Sequence, residues 1–118
     1  INFICDDIFK YNPKMKYNVI VSNPPYVLNN EKIYMSKKVL DYEPHLALFV
    51  DNTEPLIYYK RIIHLANKSL TKSGYLFFEI NECFAKEIIN ILNEFQFVNI
   101  ELKKDINGKE RMIKAIKK

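Results

Sequence analysis

Glycine, cysteine and tryptophan are scarce in this 118-residue chain, with two, two and none. The two glycines, Gly74 and Gly108, stand far apart, so no glycine-rich turn of the GxGxG kind, which lets a backbone approach a bound nucleotide, exists within the sequence. Cys5 and Cys83 show no CxxC spacing and give no metal or redox signature. No stretch approaches the ~18 uncharged apolar residues of a membrane span. The start lacks a basic-then-apolar leader pattern. There are no repeats, low-complexity stretches or interdomain linker. These absences predict a reduced, cytoplasmic protein with no metal.

What is present is apolar: 48% of residues are hydrophobic, enough for a real core in one domain or part of one. The net charge of +4 is unevenly placed. Residues 1–100 balance 11 Lys and Arg against 11 Asp and Glu, whereas residues 101–118 hold 7 against 3. A basic terminal patch can touch nucleic acid, but its commoner use is a solvated strand face.

Asn2-Phe3-Ile4-Cys5 reads as the end of a short strand, followed by a polar turn from Asp6 to Pro13. Residues 17–22 are apolar at nearly every position, as expected of a central parallel strand covered on both sides. Residues 27–46, with Asn29-Asn30, Ser36 and Glu43-Pro44, have no clear period and predict a long functional loop. Thr53-Glu54-Pro55 predicts a helix start. Leu56, Tyr59, Ile63, Ala66 and Leu70 recur at helical spacing, and Gly74 supplies the stop. A strand follows over residues 75–80. Phe84, Ile88, Ile91, Leu92 and Phe95 mark a second amphipathic helix. Val98, Ile100 and Leu102 alternate with Asn99, Glu101 and Lys103 in a strand with one wet face. Asn107-Gly108 then turns the chain into a hairpin partner at residues 111–116. The order predicts an α/β fold: a mostly parallel sheet with a C-terminal antiparallel hairpin and helices packed on it.

Asn23-Pro24-Pro25-Tyr26 directly follows the first of these strands. Two prolines leave the backbone stiff and short of N–H donors, so its carbonyls are free to face a guest. An amide carbonyl, a proline carbonyl and an aromatic face suit a planar NH2 group. On its own such a tetrapeptide is as often a plain strand-ending turn.

Together these residues resemble the class I S-adenosylmethionine-dependent methyltransferases, whose Rossmann-like sheet ends in such a hairpin and whose Asn-Pro-Pro-Tyr motif serves methylation of amino or amide nitrogen. Within that superfamily the chain resembles the C-terminal part of the HemK-like (PrmC) glutamine methyltransferases, which modify peptide chain release factors at a Gly-Gly-Gln motif. The resemblance runs through Asp7-Ile8-Phe9, Val21 to Tyr26, Tyr42-Glu43-Pro44, Ala47-Leu48, Tyr59, Gly74 to Ile80, and Lys104-Asp105 with Gly108 and Arg111. It departs after Glu79-Ile80, where the family pattern has Gly and then Gln, and this chain has Asn81 and Phe84.

The resemblance implies that Asn23 and Pro24 accept hydrogen bonds from the target amide and that Pro25 shapes the turn. It implies a stacking role for Tyr26 and places Glu43 beside the substrate. Asp7, Ile8 and Asn23 would contact S-adenosylmethionine, whose glycine-rich loop would lie outside this chain. Residues 1–118 are accordingly expected to be the C-terminal part of a catalytic domain, inactive alone. Nitrogen methylation by this route needs no metal. His45 and His64 lack partners at ligand spacing and read as structural.

Two other functions fit less of the sequence. An adenine amino-methyltransferase acting on DNA or RNA uses the same tetrapeptide, but residues 1–100 offer no basic track for a duplex. A degenerate scaffold module would also lack the glycine-rich turn. An exposed apolar sheet edge at residues 17–22 predicts self-association.

Overall fold

The computed structural model describes the backbone of residues 1–118 and every side chain except those of Asn29, Asn30, Lys32, Lys37, Lys38 and Val39. Strands β1 (Tyr17–Ser22), β4 (Leu70–Glu79), β5 (Phe97–Lys104) and β6 (Glu110–Lys117) form a mixed sheet in the order β1-β4-β6-β5. β1 and β4 run parallel, joined by a crossover containing helix α3 (Ile57–Ser69). β6 pairs antiparallel with both β4 and β5. Helix α4 (Ala85–Glu94) carries the chain from β4 to β5. The α/β class and the C-terminal antiparallel hairpin are as expected, while the four-stranded sheet is mixed rather than mostly parallel, with one parallel and two antiparallel pairings.

One face of this sheet holds the core. Ile62, Ile63 and Ala66 of α3 and Ile88, Ile91 and Leu92 of α4 pack with Leu76 and Phe78 of β4 and Ile113 and Ala115 of β6. Tyr59 is fully buried, its ring edge-on to Phe78 with centroids 5.4 Å apart. Burying each such aliphatic side chain contributes about 1.5–3 kcal/mol, which outweighs the modest helix propensity of the β-branched residues in α3 and α4. The opposite face carries Val19, Val21, Tyr75, Phe77, Val98 and Met112, all exposed. β1 is therefore not covered on both sides. A register shift between Tyr17 and Val19 lets both Tyr17 and Ile20 pack toward the helices, and the alternation beyond it leaves Val21 74% exposed.

Several local expectations change for identifiable reasons. Residues 1–7 form no strand. Residues 27–46 are not plain loop: they hold the strand β2 (Val27–Leu28), a 3₁₀ turn (Asn29–Tyr34), helix α1 (Lys37–Tyr42) and the start of helix α2 (His45–Leu48), and just beyond them strand β3 (Phe49–Val50) pairs parallel with β2. The side chains of Asn29 and Asn30 lie outside the described residues. α3 starts at Ile57, because Thr53 is held in a turn by Asp51, whose carboxylate accepts from both its amide and its hydroxyl at 2.9 Å.

Gly74 does not stop α3, which ends at Ser69; it is buried within β4. A Cβ there would stand 2.9 Å from the carbonyl oxygen of Thr71 and 3.1 Å from that of Asn18, so glycine answers a close backbone approach between β4 and β1. In β5 the register slips between Val98 and Glu101, and Asn99 has a φ of 50°. This bulge turns Val98 to the open face, while Ile100 and Leu102 face the core. The hairpin forms as expected, with Gly108 at a φ of 79°. The Asp105 carboxylate accepts from the amides of Asn107 and Lys109 at 2.8 and 3.0 Å and faces Arg111 at 3.8 Å.

Candidate active site

The Asn23-Pro24-Pro25-Tyr26 turn lies at the carboxyl end of β1, where open α/β sheets place their ligands. Asn23 is exposed and Pro24 buried. Two prolines cannot hydrogen-bond through nitrogen, so neighbouring elements must fix this turn. The end of β4 does so. The Tyr26 hydroxyl donates to Glu79 Oε1 at 2.5 Å, and Asn81 Nδ2 donates to the Tyr26 carbonyl at 3.2 Å.

Burial, followed by the hydrogen bond and negative charge of Glu79, pushes the Tyr26 phenol up to about 12, against a smaller opposing pull from Arg111. Tyr26 is thus protonated at neutral pH, with its hydroxyl committed to Glu79. What it offers a guest is its ring. Tyr59, whose hydroxyl donates to the Glu79 carbonyl at 3.3 Å, is raised still further by burial.

The turn separates two concavities. One, about 410 Å³, lies on the open sheet face and is lined by Val21, Ser22, Asn23, Phe77, Glu79 and Met112. The other, about 310 Å³, is lined by Tyr26, Val27, Glu31, Tyr34, Asn81 and Arg111. Asn23 borders the first and Tyr26 the second. Both cavities are of a size that takes a side chain or small ligand.

Asp7 and Ile8 stand apart from the tetrapeptide. The Asp7 carboxylate is exposed and accepts from the amide of Phe9 at 2.9 Å. Ile8 lines a third hollow with Tyr17, Val19, Val21 and Ser22, and Ser22 also borders the 410 Å³ cavity. Arg61 of α3 anchors this segment, donating to the carbonyls of Ile8 at 2.9 Å and Tyr11 at 2.6 Å. Glu43 is exposed and lines neither cavity beside the tetrapeptide. Arg61, Glu31 and Asn81 are contributors that pattern reading missed. Arg61 interrupts an apolar helix pattern, and the departure at Asn81 was the only signal for the others.

His45 packs edge-on to Phe49 and His64 edge-on to Phe95. No cluster of three His, Cys, Asp or Glu residues suited to a metal occurs among the described residues. No helix among them is long and apolar enough to cross a membrane.

The sheet order, the terminal antiparallel strand and a tetrapeptide at the carboxyl end of β1 define the fold as that of a class I methyltransferase. A solved structure shares it: the N-methyltransferase NodS from Bradyrhizobium japonicum superposes with a TM-score of 0.52 at 14% identity, over 95% of this chain and 57% of that one. No protein-family model matches the chain. Its sequence is 50% identical over 100 residues to the release factor glutamine methyltransferase of Flavobacterium psychrophilum, covering 85% of this chain and 35% of that protein. It is 44% identical over 99 residues to the enzyme of the same name from Bacteroides thetaiotaomicron, covering 84% and 36%. The like-named protein of Fusobacterium nucleatum matches at 40% over 121 residues, covering 99% and 34%. The chain is a relative of the release factor glutamine methyltransferases and spans about a third of their length.

Proposed function

We propose that this chain carries the substrate-gripping part of a glutamine N-methyltransferase that acts on peptide chain release factors in the cytoplasm. The observation that carries the reading is the rigid, donor-poor turn at residues 23–26, fixed by Glu79 and Asn81 between two cavities. Glutamine methyltransferases of that name match the chain around it.

An amide nitrogen is a weak nucleophile because its lone pair is delocalised into the carbonyl. Methylation requires the N–H bonds to be held while the lone pair turns toward the methyl donor. The Asn23 side-chain oxygen and the Pro24 carbonyl are the acceptors for those N–H groups. The Tyr26 ring supplies a flat apolar surface for the amide plane. Holding the pair in a near-attack arrangement is worth up to about 7–11 kcal/mol of barrier. Pro25 stiffens the turn, and residues 27–46, Glu43 included, contribute to the polypeptide groove.

S-adenosylmethionine, bound by the complete protein, supplies an electrophilic sulfonium methyl. The donor set beside β1 fits its adenosine end: the exposed Asp7 carboxylate suits an exocyclic amine, and Ile8 provides an apolar wall. Asn23, across Ser22 from that hollow, stands where the two ligands would meet. The chain's two glycines are placed elsewhere, so the close backbone contact expected of a glycine-rich turn belongs to another part of the protein. Residues 1–118 are then the part of the catalytic domain that holds the substrate, inactive alone. Isolated, the chain self-associates through the outer edge of β1 and its apolar open face. Light scattering on the isolated chain checks this, and a monodisperse monomer speaks against it.

The activity is tested by incubating the complete protein and labelled S-adenosylmethionine with either release factor or DNA. Label on a release-factor glutamine is the expected result; label on DNA alone overturns the assignment.

A further inference from the structure

Asn81 stands where the resembling family has glycine, and its side chain is not idle. It is 5% exposed and uses both ends. Nδ2 donates to the Tyr26 carbonyl and to Glu31 Oε2, each at 3.2 Å, while Oδ1 accepts from the amide of Cys83 at 3.0 Å. Glu31 Oε2 in turn accepts from the amide of Leu28 at 2.7 Å. Residues 26–31 make no ladder to the four-stranded sheet, and one buried amide group just past β4 ties them to its end at two points, Tyr26 and Glu31. Two residues earlier, Glu79 holds the Tyr26 hydroxyl. Tyr26 is thus gripped at both its main chain and its ring tip by alternate residues of one strand end. That strand end is itself braced, since the Ile80 amide donates to the Arg111 carbonyl at 2.9 Å.

We propose that Asn81, together with Glu79 and Glu31, is the positioning residue of the tetrapeptide, setting where the Tyr26 ring and the adjoining Asn23 and Pro24 acceptors stand. The effect on turnover rests on the methyltransferase reading above; the effect on the turn does not. A buried amide suits the task because it donates twice while accepting once, so it links two chain segments and leaves no orphan group. Aspartate has the same shape and no such donor, and it would face the Glu31 carboxylate across the same 3.2 Å gap. Misplacing a reacting group by about 1 Å can cost roughly a hundredfold in rate.

The test pairs a local with a catalytic readout. Amide exchange on Asn81→Ala and Asn81→Asp in this chain should show Leu28 exchanging about ten- to a hundredfold faster, with Leu76 and Phe78 unchanged. In the complete protein the same substitutions should lower kcat at least tenfold, with KM for S-adenosylmethionine within about threefold. Glu79→Gln, which keeps an oxygen for the Tyr26 hydroxyl, should retain kcat better than Glu79→Ala. Unchanged exchange at Leu28 overturns the proposal. So does faster exchange with undiminished kcat, or equal losses in the two Glu79 variants. A wild-type protein that methylates nothing refutes the functional reading instead, and exchange at Leu28 then decides the positioning role alone.

Discussion

Replacing Gly74 by alanine tests whether this glycine is a helix stop or a contact point. In the structure a new Cβ meets two backbone oxygens, of Thr71 at 2.9 Å and of Asn18 at 3.1 Å, and the Leu70 Cδ2 at 3.2 Å. Ordinary contact begins near 3.4 Å. Neither oxygen belongs to a flexible side chain, so the β1–β4 backbone itself must give. Overpacking of this kind costs about 1–3 kcal/mol. The reduced freedom of the unfolded chain returns about 0.4–1 kcal/mol. The net loss is roughly 1–2 kcal/mol. At about 2.1 cal/mol/K of unfolding entropy per residue, a chain of this length falls by about 4–8 °C in Tm. Calorimetry or thermal circular dichroism measures it. Gly74→Asn sharpens the result. At a helix C-terminus asparagine tolerates the left-handed conformation and would recover stability relative to alanine. At a close approach it brings the same Cβ and more atoms besides. A Tm for Gly74→Asn above that of Gly74→Ala, or no loss in either, would refute the contact argument.

Two further outcomes follow from the same physical picture. The Tyr26 phenol is held at about 12 in the folded state, above its unfolded value near 10. The folded state therefore binds that proton more tightly, and the resulting stability is complete below pH 10 and lost as pH rises toward 12. Discounted for partial exposure, the pH-dependent loss is about 1–2 kcal/mol; urea midpoints of the wild type should fall relative to those of Tyr26→Phe between pH 10 and pH 12, whereas parallel curves contradict the assignment. The bulge in β5 predicts that Val98→Thr changes stability by less than about 0.5 kcal/mol. Ile100→Thr, on the core side, should cost about 1–3 kcal/mol in the same denaturant titration, and equal effects would place the bulge wrongly.

Much of this protein is legible without coordinates. The apolar period of α4, the strand at residues 17–22 and the Asn107-Gly108 turn each follow from short-range rules that no tertiary contact overrides. Asn23-Pro24-Pro25-Tyr26 is equally a matter of sequence, because two adjacent prolines stiffen the chain and remove donors wherever they occur. Four things were decided only in three dimensions. Which side of β1 is covered depends on where α3 and α4 pack, and both lie on one face of the sheet. The facing of Val98 depends on a single-residue slip against β6 that alternation along one strand cannot express. The role of Gly74 depends on two backbone oxygens, that of Thr71 within β4 and that of Asn18 in β1, more than fifty residues away in sequence. The grip of Glu79 and Asn81 on Tyr26 is of the same kind: its partners are 53 and 55 residues apart and meet because β1 and β4 end side by side. Sequence supplies the stiff turn and its free carbonyls; only the pairing of two strand ends determines where they stand.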